Sequence, residues 1–271
     1  MKIICWITLC DDDNPAVFAE LCKRFPWGKR NSLFLSEYPI EATETNDVLR
    51  LLEQQGMRPA SRSKYPRSSE EYGLQYRYEY DRSDYEQAEL LIPMPKASVG
   101  QVVTRSAKGL LKLEGHAYRK AYSIACANWP WRVVSDRVKK AIEDAGLSHA
   151  VFRPTDKEDE NDRTEGITVW ELTSDFILPP LSPRGTAVHN DGTPFSGDYG
   201  KGFQLEEGFF SFPELHYTRS SLVEAGPFDF GLTRELYGGD HPRLITSQRF
   251  YQLCAKLKIR TEWIPVRIDP N

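Results

Sequence analysis

Histidine and aspartate side chains that bind metal ions or transfer protons are sparse in this sequence. The histidines are His116, His149, His189, His216 and His241. No two of them lie within two to five residues of each other, so closely spaced ligand pairs such as H-E-x-x-H are missing. Two segments combine suitable residue types, and they contain His189, Asp191, Asp240 and His241. If the fold brought these segments together, they would form a hydrolase-type or metal site, although ordinary loop positions explain them equally well.

Phosphate-binding and nucleophilic patterns are also weak. Gly197, Gly200 and Gly202 form a G-x-x-G-x-G run, but no strand pattern precedes it and no lysine followed by serine or threonine completes it. A turn-rich loop accounts for these glycines better than a phosphate cradle does. Cys126 precedes an aromatic Trp-Pro-Trp segment, which favours packing over a reactive thiol. We therefore predict no catalytic residues, no bound metal ion and no cofactor.

The clearest chemical signal is an acidic run at 156–165, which reads DKEDENDRTE. It holds six acids and two bases, so its net charge of −4 equals that of the whole chain. Such a run is typical of a solvated loop. It also suits an arm that docks on a basic partner, because complementary charge speeds association and selects partners. The candidate partner-binding residues are Asp156, Glu158, Asp159, Glu160 and Asp162.

Composition places the chain among globular proteins of a reducing compartment. Its 271 residues are 40% hydrophobic, which is enough for one large domain or two small ones. The net charge of −4 disfavours a general nucleic-acid binder. Five cysteines without a C-x-x-C pair indicate buried thiols. The opening MKIICWITLC is followed at once by three aspartates, which predicts a buried strand rather than a signal peptide. No apolar run is long enough to span a membrane, so we expect a cytoplasmic protein.

Two stretches of the chain repeat one apolar pattern. We expect them to form the elements that position any functional site. When Ser135 is aligned with Ser247, residues 131–154 match residues 242–266 without a gap, so that Val151 falls on Trp263. In each copy a β-branched run ends at the serine, which is suited to cap a helix. Four apolar residues follow at helical spacing in each, namely Val138, Ala141, Ile142 and Ala145, then Phe250, Leu253, Cys254 and Leu257. A second apolar run completes a predicted strand–helix–strand unit.

The two predicted helices differ at their ends. Gly146 is suited to end the first helix in a left-handed conformation. Lys258 stands at the matching position, so the second helix should end less sharply. Arg137 and Arg249 both fall in a first helical turn, where a cation opposes the helix dipole. We expect these arginines to be solvated or paired with carboxylates.

The chain before the repeats reads as a smaller α/β segment. Asn14 and Pro15 predict the start of a helix, and Thr45 or Asn46 predicts the start of a second. Tyr76, Tyr78 and Tyr80 alternate with polar residues, which predicts a half-exposed strand. An aromatic row beside Arg77 can stack single-stranded nucleic acid, but the alternation places these rings opposite the arginine and towards a core. Prolines at 93 and 95 mark the predicted boundary of this segment.

Three blocks resemble a widespread group of bacterial proteins. They are GITVWELTSDFILPP at 166–180, HYTRSSLVEAGPFDFGLTRELYG at 216–238 and PRLITSQRFYQLCAKLKIRTEWIPVRI at 242–268. The group is related to the double-CxxCG-motif proteins, some of which look like immunity partners of polymorphic toxins. The likeness covers roughly the C-terminal 170 residues. No CxxCG motif occurs in this chain, so the cysteine-bound metal that the motif implies is not carried over.

These features predict an α+β protein of two lobes. We expect an N-terminal α/β lobe at 1–96 and a C-terminal α+β lobe at 97–271, with the repeats at 131–154 and 242–266. The resemblance implies a cytoplasmic immunity or inhibitor protein that neutralises a cognate toxin by binding it, without enzymatic activity. The alternative is a hydrolase-type enzyme whose site is assembled from the segments at 189–191 and 240–241.

Overall fold

The fold is taken from a computed structural model, which describes residues 1–60, 68–95, 104–113, 123–126, 131–157, 168–182, 204–205, 215–237 and 241–270. The chain divides into two compact units. The first contains Met1–Asp81 and the second begins at Arg82. Helices and strands occur in both units, so the predicted α+β class is confirmed.

The first unit is a five-stranded sheet with two helices. Its elements are β1 (Lys2–Cys10), α1 (Pro15–Arg24), β2 (Lys29–Arg30), β3 (Leu33–Pro39), α2 (Thr43–Gln54), β4 (Arg58–Pro59) and β5 (Glu71–Glu79). The strand order is β2-β3-β1-β5-β4, and the central β1 pairs antiparallel with both β3 and β5. The opening segment is therefore a strand, as predicted.

Alternation along β1 explains how the helices of this unit pack. Cys5, Ile7 and Leu9 form one core with apolar residues of α1 and α2, because successive side chains of a strand point to opposite faces. The Asn14 side chain caps α1 by accepting a hydrogen bond from the backbone N–H of Val17, as predicted. Helix α2 starts at Thr43, two residues before the predicted Thr45, since the extended Ala42 precedes the first helical residue.

The second unit holds the rest of the described chain. Its elements are α3 (Arg82–Gln87), β6 (Leu90–Pro95), β7 (Thr104–Arg105), β8 (Leu111–Leu113), β9 (Ile124–Cys126), β10 (Arg132–Ser135), α4 (Asp136–Asp144), β11 (Ala150–Pro154), β12 (Asp156–Lys157), β13 (Val169–Ser174), β14 (Gln204–Leu205), β15 (His216–Thr218), α5 (Arg219–Ala225), β16 (Phe230–Tyr237), β17 (His241–Ser247), α6 (Gln248–Lys256) and β18 (Thr261–Asp269). They form three sheets, with strand orders β14-β16-β17-β6-β18-β15, β11-β13-β10-β9 and β12-β8-β7.

The prolines at 93 and 95 lie within strand β6, which belongs to the second unit and not to the end of the first. It pairs antiparallel with both β17 and β18 in the six-stranded sheet. Pro93 and Pro95 pair only with β18, whereas β17 pairs with Leu90 and Leu91. A proline cannot donate a backbone hydrogen bond, so it is tolerated where one side of a strand is unpaired. These prolines therefore lie inside a strand of the second unit, and the division falls after Asp81.

Both predicted repeats fold as strand, helix and strand. Copy 1 is β10-α4-β11 and copy 2 is β17-α6-β18. The four residues expected to face the core, Val138, Ile142, Phe250 and Cys254, are all buried and share one core, which confirms that prediction. In each copy the two strands are parallel and are separated by one antiparallel strand, which is β13 in copy 1 and β6 in copy 2. Ser135 and Ser247 precede the helices, but neither hydroxyl caps its helix.

The helix ends are the same in both copies. The backbone N–H of Leu147 donates to the Ile142 carbonyl, and that of Ile259 donates to the Cys254 carbonyl. Gly146 has a φ of 59° and Lys258 a φ of 57°. The expectation of a less sharply ended second helix is therefore wrong, because Lys258 adopts the left-handed conformation that ends the first helix.

The gap-free alignment fails after the helices. Residues 145–149 separate α4 from β11, whereas only 257–260 separate α6 from β18. Copy 1 thus has one extra residue, and the ring that takes the place of Trp263 in the shared core is Phe152 rather than Val151. The extra length is accommodated at His149, whose φ of 63° is left-handed.

Candidate functional site

Most of the residues singled out in the sequence lie outside the described part of the chain. Asp156 belongs to β12, where its backbone pairs with that of Lys112. Outside the described residues lie Glu158, Asp159, Glu160, Asp162, His189, Asp191 and Asp240, together with the side chain of His241. The acidic arm and the His/Asp site therefore stay predictions. Among the described residues, no group of three or more histidine, cysteine, aspartate or glutamate side chains is placed to hold a metal ion.

A buried carboxylate joins the two copies of the repeat. Asp229 directly precedes β16 and is only 3% exposed. Its Oδ1 accepts a hydrogen bond of 2.6 Å from the Ser247 hydroxyl, at the start of α6. Its Oδ2 accepts 2.9 Å from the backbone N–H of Ser148, in the extra-length connection after α4. One carboxylate thus ties the end of one repeat helix to the beginning of the other.

Arg249 completes this junction. Its Nη1 donates to Asp229 Oδ2 at 2.8 Å, and its Nη2 donates to the Ala145 carbonyl at 3.1 Å. That carbonyl lies at the C-terminal end of α4, where a cation is favourable. The carboxylate pairing expected for Arg249 is therefore observed, whereas Arg137 is exposed and makes no side-chain hydrogen bond within the described chain.

A cluster of half-buried aromatic rings lies next to this junction in sequence and in space. His149 Nδ1 lies 3.0 Å from Asp175 Oδ1, and its ring centroid lies 4.8 Å from that of Phe176. Phe176 in turn stacks on Phe228, with a centroid separation of 5.2 Å and an interplanar angle of 17°. Ile177 is 57% exposed. We call His149, Asp175, Phe176, Ile177 and Phe228 the seam surface.

Backbone contacts hold the seam surface in place. The Ser174 hydroxyl donates to the Phe230 carbonyl and accepts from the backbone N–H of Phe176. The backbone N–H of Leu232 donates to the Phe176 carbonyl, and that of Leu178 donates to the Leu232 carbonyl, both at 2.8 Å. The residues around Ile177 therefore run alongside β16, and a fixed backbone presents the exposed side chains of Asp175 and Ile177.

The seam surface is rich in hydrogen-bond acceptors. A carboxylate can only accept, so the proton in the His149–Asp175 hydrogen bond resides on Nδ1. In the neutral ring, Nε2 is then an acceptor, and within the described chain it has no hydrogen-bond partner. The Asp175 side chain is 66% exposed. The surface thus presents a carboxylate, a ring nitrogen and two stacked aromatic rings.

The cysteines lack the features of a reactive thiol. Burial raises the pKa of Cys5 to about 11, and it also raises the pKa of Cys254. Burial is likewise the main cause of the raised pKa of Cys126, and the nearby Arg132 and Arg243 only partly oppose it. A thiol with a raised pKa is protonated at neutral pH and is a poor nucleophile.

Sequence reasoning missed the seam surface. His149 was noted only among the histidines, and Asp175, Phe176 and Phe228 lie inside the blocks that carry the family resemblance. No sequence signal marks them, because apolar residues on both sides of 148–149 hide the point where the two copies stop matching in length. The two rings come together only because β13 and β16 are neighbours in space, and no sequence spacing reports that.

Within the described residues, no helix is both long enough and apolar enough to cross a membrane. Comparisons with models of protein families, with curated proteins and with solved structures found no match to this chain.

Proposed function

We propose that the protein is an immunity or inhibitor protein that binds and neutralises a cognate bacterial toxin in the cytoplasm. The observation that carries this proposal is the seam surface, where Phe176, Phe228 and the exposed Ile177 are held on a fixed backbone. Aromatic side chains are enriched at the centres of protein interfaces, and a few such anchors supply most of the binding energy. A fixed surface also loses little conformational entropy on binding.

The acidic run at 156–165 supports the same function in a different way. Its net charge of −4 favours a partner with a basic surface, such as a nuclease toxin. Charges at the rim of an interface mainly speed association, whereas buried anchors slow dissociation. The two features would therefore act together, with the run attracting the partner and the seam surface retaining it.

The experiment is a protection assay. A bacterial host expresses the toxin encoded by the neighbouring reading frame, together with this protein or a variant of it. The wild type should restore growth, and Ile177→Asp should abolish protection because it places a charge among the apolar anchors. Loss of affinity should appear as faster dissociation when the purified proteins are mixed.

Val223→Asp is the matched control. Val223 is 73% exposed on α5 and is not part of the seam surface, so its substitution should leave protection intact. Failure of the wild-type protein to bind or protect against the toxin would refute the proposed function. Equal protection by Ile177→Asp and the wild type would remove the seam surface from it.

A further inference from the structure

We propose that the seam surface recognises an arginine or lysine side chain of the partner, a step that rests on the proposed function. The head group would bind the Asp175 carboxylate, and the stem would lie across Phe176 and Phe228. The partner would therefore present a single cationic side chain on a basic protein surface.

The acceptors of the seam surface favour a cation. The Asp175 carboxylate is 66% exposed and can accept further hydrogen bonds besides the one from His149. His149 Nδ1 faces one oxygen of this carboxylate, Oδ1, and the other oxygen has no hydrogen-bond partner within the described chain. A carboxylate that can still accept matches the several N–H donors of a guanidinium or ammonium group.

The stacked rings supply the second half of the recognition. A cation near the face of an aromatic ring is attracted by the electron-rich face, and the aliphatic stem of arginine or lysine packs on apolar surface. The same chain already uses this contact elsewhere. Lys139 Nζ lies 4.7 Å from the Trp170 ring centroid, and the Arg105 guanidinium lies 5.5 Å from that of Trp131.

The conformation of His149 also points to recognition. Copy 2 makes the same helix-to-strand connection with one residue fewer, so the left-handed His149, with a φ of 63°, is not needed to join the two elements. A non-glycine residue in this conformation is strained, and such residues cluster at functional sites. The extra residue places the imidazole against both Asp175 and Phe176.

The test is an NMR titration of the full-length protein with N-acetyl-arginine amide. Saturable shifts are expected for His149, Asp175, Phe176 and Phe228, with a dissociation constant in the millimolar range, as about one side chain of contact allows. N-acetyl-glutamine amide, which is neutral, should bind at least about tenfold more weakly if the charge matters. Equal binding of the two amides, or the absence of saturable shifts, would overturn the inference.

Asp175→Asn gives the matching variant, because the change keeps the side-chain shape and Asp175 is exposed. It should lose most of the binding, whereas Val223→Asp should bind as the wild type does. Unchanged binding by Asp175→Asn would contradict the assigned role of the carboxylate. If arginine binds but the toxin does not, the proposed function fails and this site stands. If Ile177→Asp abolishes toxin binding while arginine amide never binds, only this inference fails.

Discussion

The two copies of the strand–helix–strand unit end their helices with matching hydrogen bonds and then diverge within two residues. In copy 2, Ile259 and Arg260 lead straight into β18. In copy 1, Ser148 and His149 follow Leu147, and both side chains make contacts outside their own copy, to Asp229 and Asp175. The repeated part is therefore the packing scaffold, and the part that differs carries the surface chemistry.

The copies also differ in where their middle strand comes from. In copy 1, β13 follows β11 in the chain and pairs with it directly. In copy 2 the corresponding strand is β6, which precedes both copies. Copy 2 thus depends on a strand that is distant in sequence, which makes its folding more dependent on long-range closure.

Removal of β6, the middle strand of copy 2, should have the largest effect on the stability of the second unit. Leu90, Leu91 and Ile92 are almost fully buried, and burying each contributes about 2 kcal/mol. Their sum is comparable to the whole stability of a domain, about 5–15 kcal/mol. A fragment of residues 82–271 should therefore unfold cooperatively on heating, whereas a fragment of 97–271 should not. Circular dichroism would measure this, and a cooperative transition in the shorter fragment would contradict the role assigned to β6.

The junction at Asp229 is the next largest difference between the copies. Ser123 and Asp229 hold equivalent positions, since each directly precedes the strand that leads into its copy. The Ser123 carbonyl accepts a hydrogen bond from the backbone N–H of Ser135, and the Asp229 carbonyl accepts one from that of Ser247. Only the Asp229 side chain collects additional donors. Asp229→Ala should lower the free energy of unfolding by about 3 kcal/mol, because it leaves these partly buried hydrogen-bond donors without their acceptor.

Ser123→Ala is the matched control for Asp229→Ala. The backbone carbonyl of Ser123 makes the shared hydrogen bond, so the substitution should change the free energy of unfolding by less than about 0.5 kcal/mol. Urea denaturation of both variants would measure the difference. Similar losses in the two variants would show that the side chain of Asp229 does not lock the copies together.

The repeated scaffold was predictable from the sequence, and the seam surface was not. Helical spacing at Val138 and Phe250 reports which side faces a core, because that information is local. The one-residue shift at His149 was hidden, since apolar residues on both sides of it allow either alignment. The partners Asp175 and Phe228 are distant in sequence, and no periodicity links them to His149. Pro93 and Pro95 indicated a boundary rather than the strand β6, because the cost of a proline in a strand depends on which strand edge is paired.

The buried Glu235, in the six-stranded sheet, should make the stability of the protein depend on pH. Burial raises the pKa of Glu235, on β16, above its ordinary value of 4.5. Its contribution to stability is therefore greatest below that value and is lost as the pH rises through the raised pKa. Glu235→Gln should make the protein more stable than the wild type at neutral pH, with the gain vanishing in acid.

Glu171, on β13, is a buried glutamate with a cationic partner, because Arg105 Nη2 lies 2.9 Å from Glu171 Oε1. Glu171→Gln should lower the free energy of unfolding by about 1–2 kcal/mol at neutral pH, since the pair is buried on one side only. Urea denaturation at several pH values would test both glutamates. A Glu235→Gln variant less stable than the wild type at neutral pH would show that the carboxylate is needed in its charged form.

The smallest expected effect concerns the left-handed position at the helix end, where one copy has glycine and the other has lysine. Gly146 and Lys258 both adopt a left-handed conformation at the helix end, and this conformation costs a residue with a Cβ about 1 kcal/mol more than glycine. A Cβ at Gly146 would meet no atom within 4 Å, so backbone strain alone should set the result.

Lys258→Gly should therefore raise the free energy of unfolding by about 1 kcal/mol, and Gly146→Lys should lower it by a similar amount. Urea denaturation would resolve the pair. If the two caps act independently, the double variant that exchanges the two residues should restore the wild-type value. A loss of stability in Lys258→Gly would mean that the lysine side chain contributes more than its backbone strain removes.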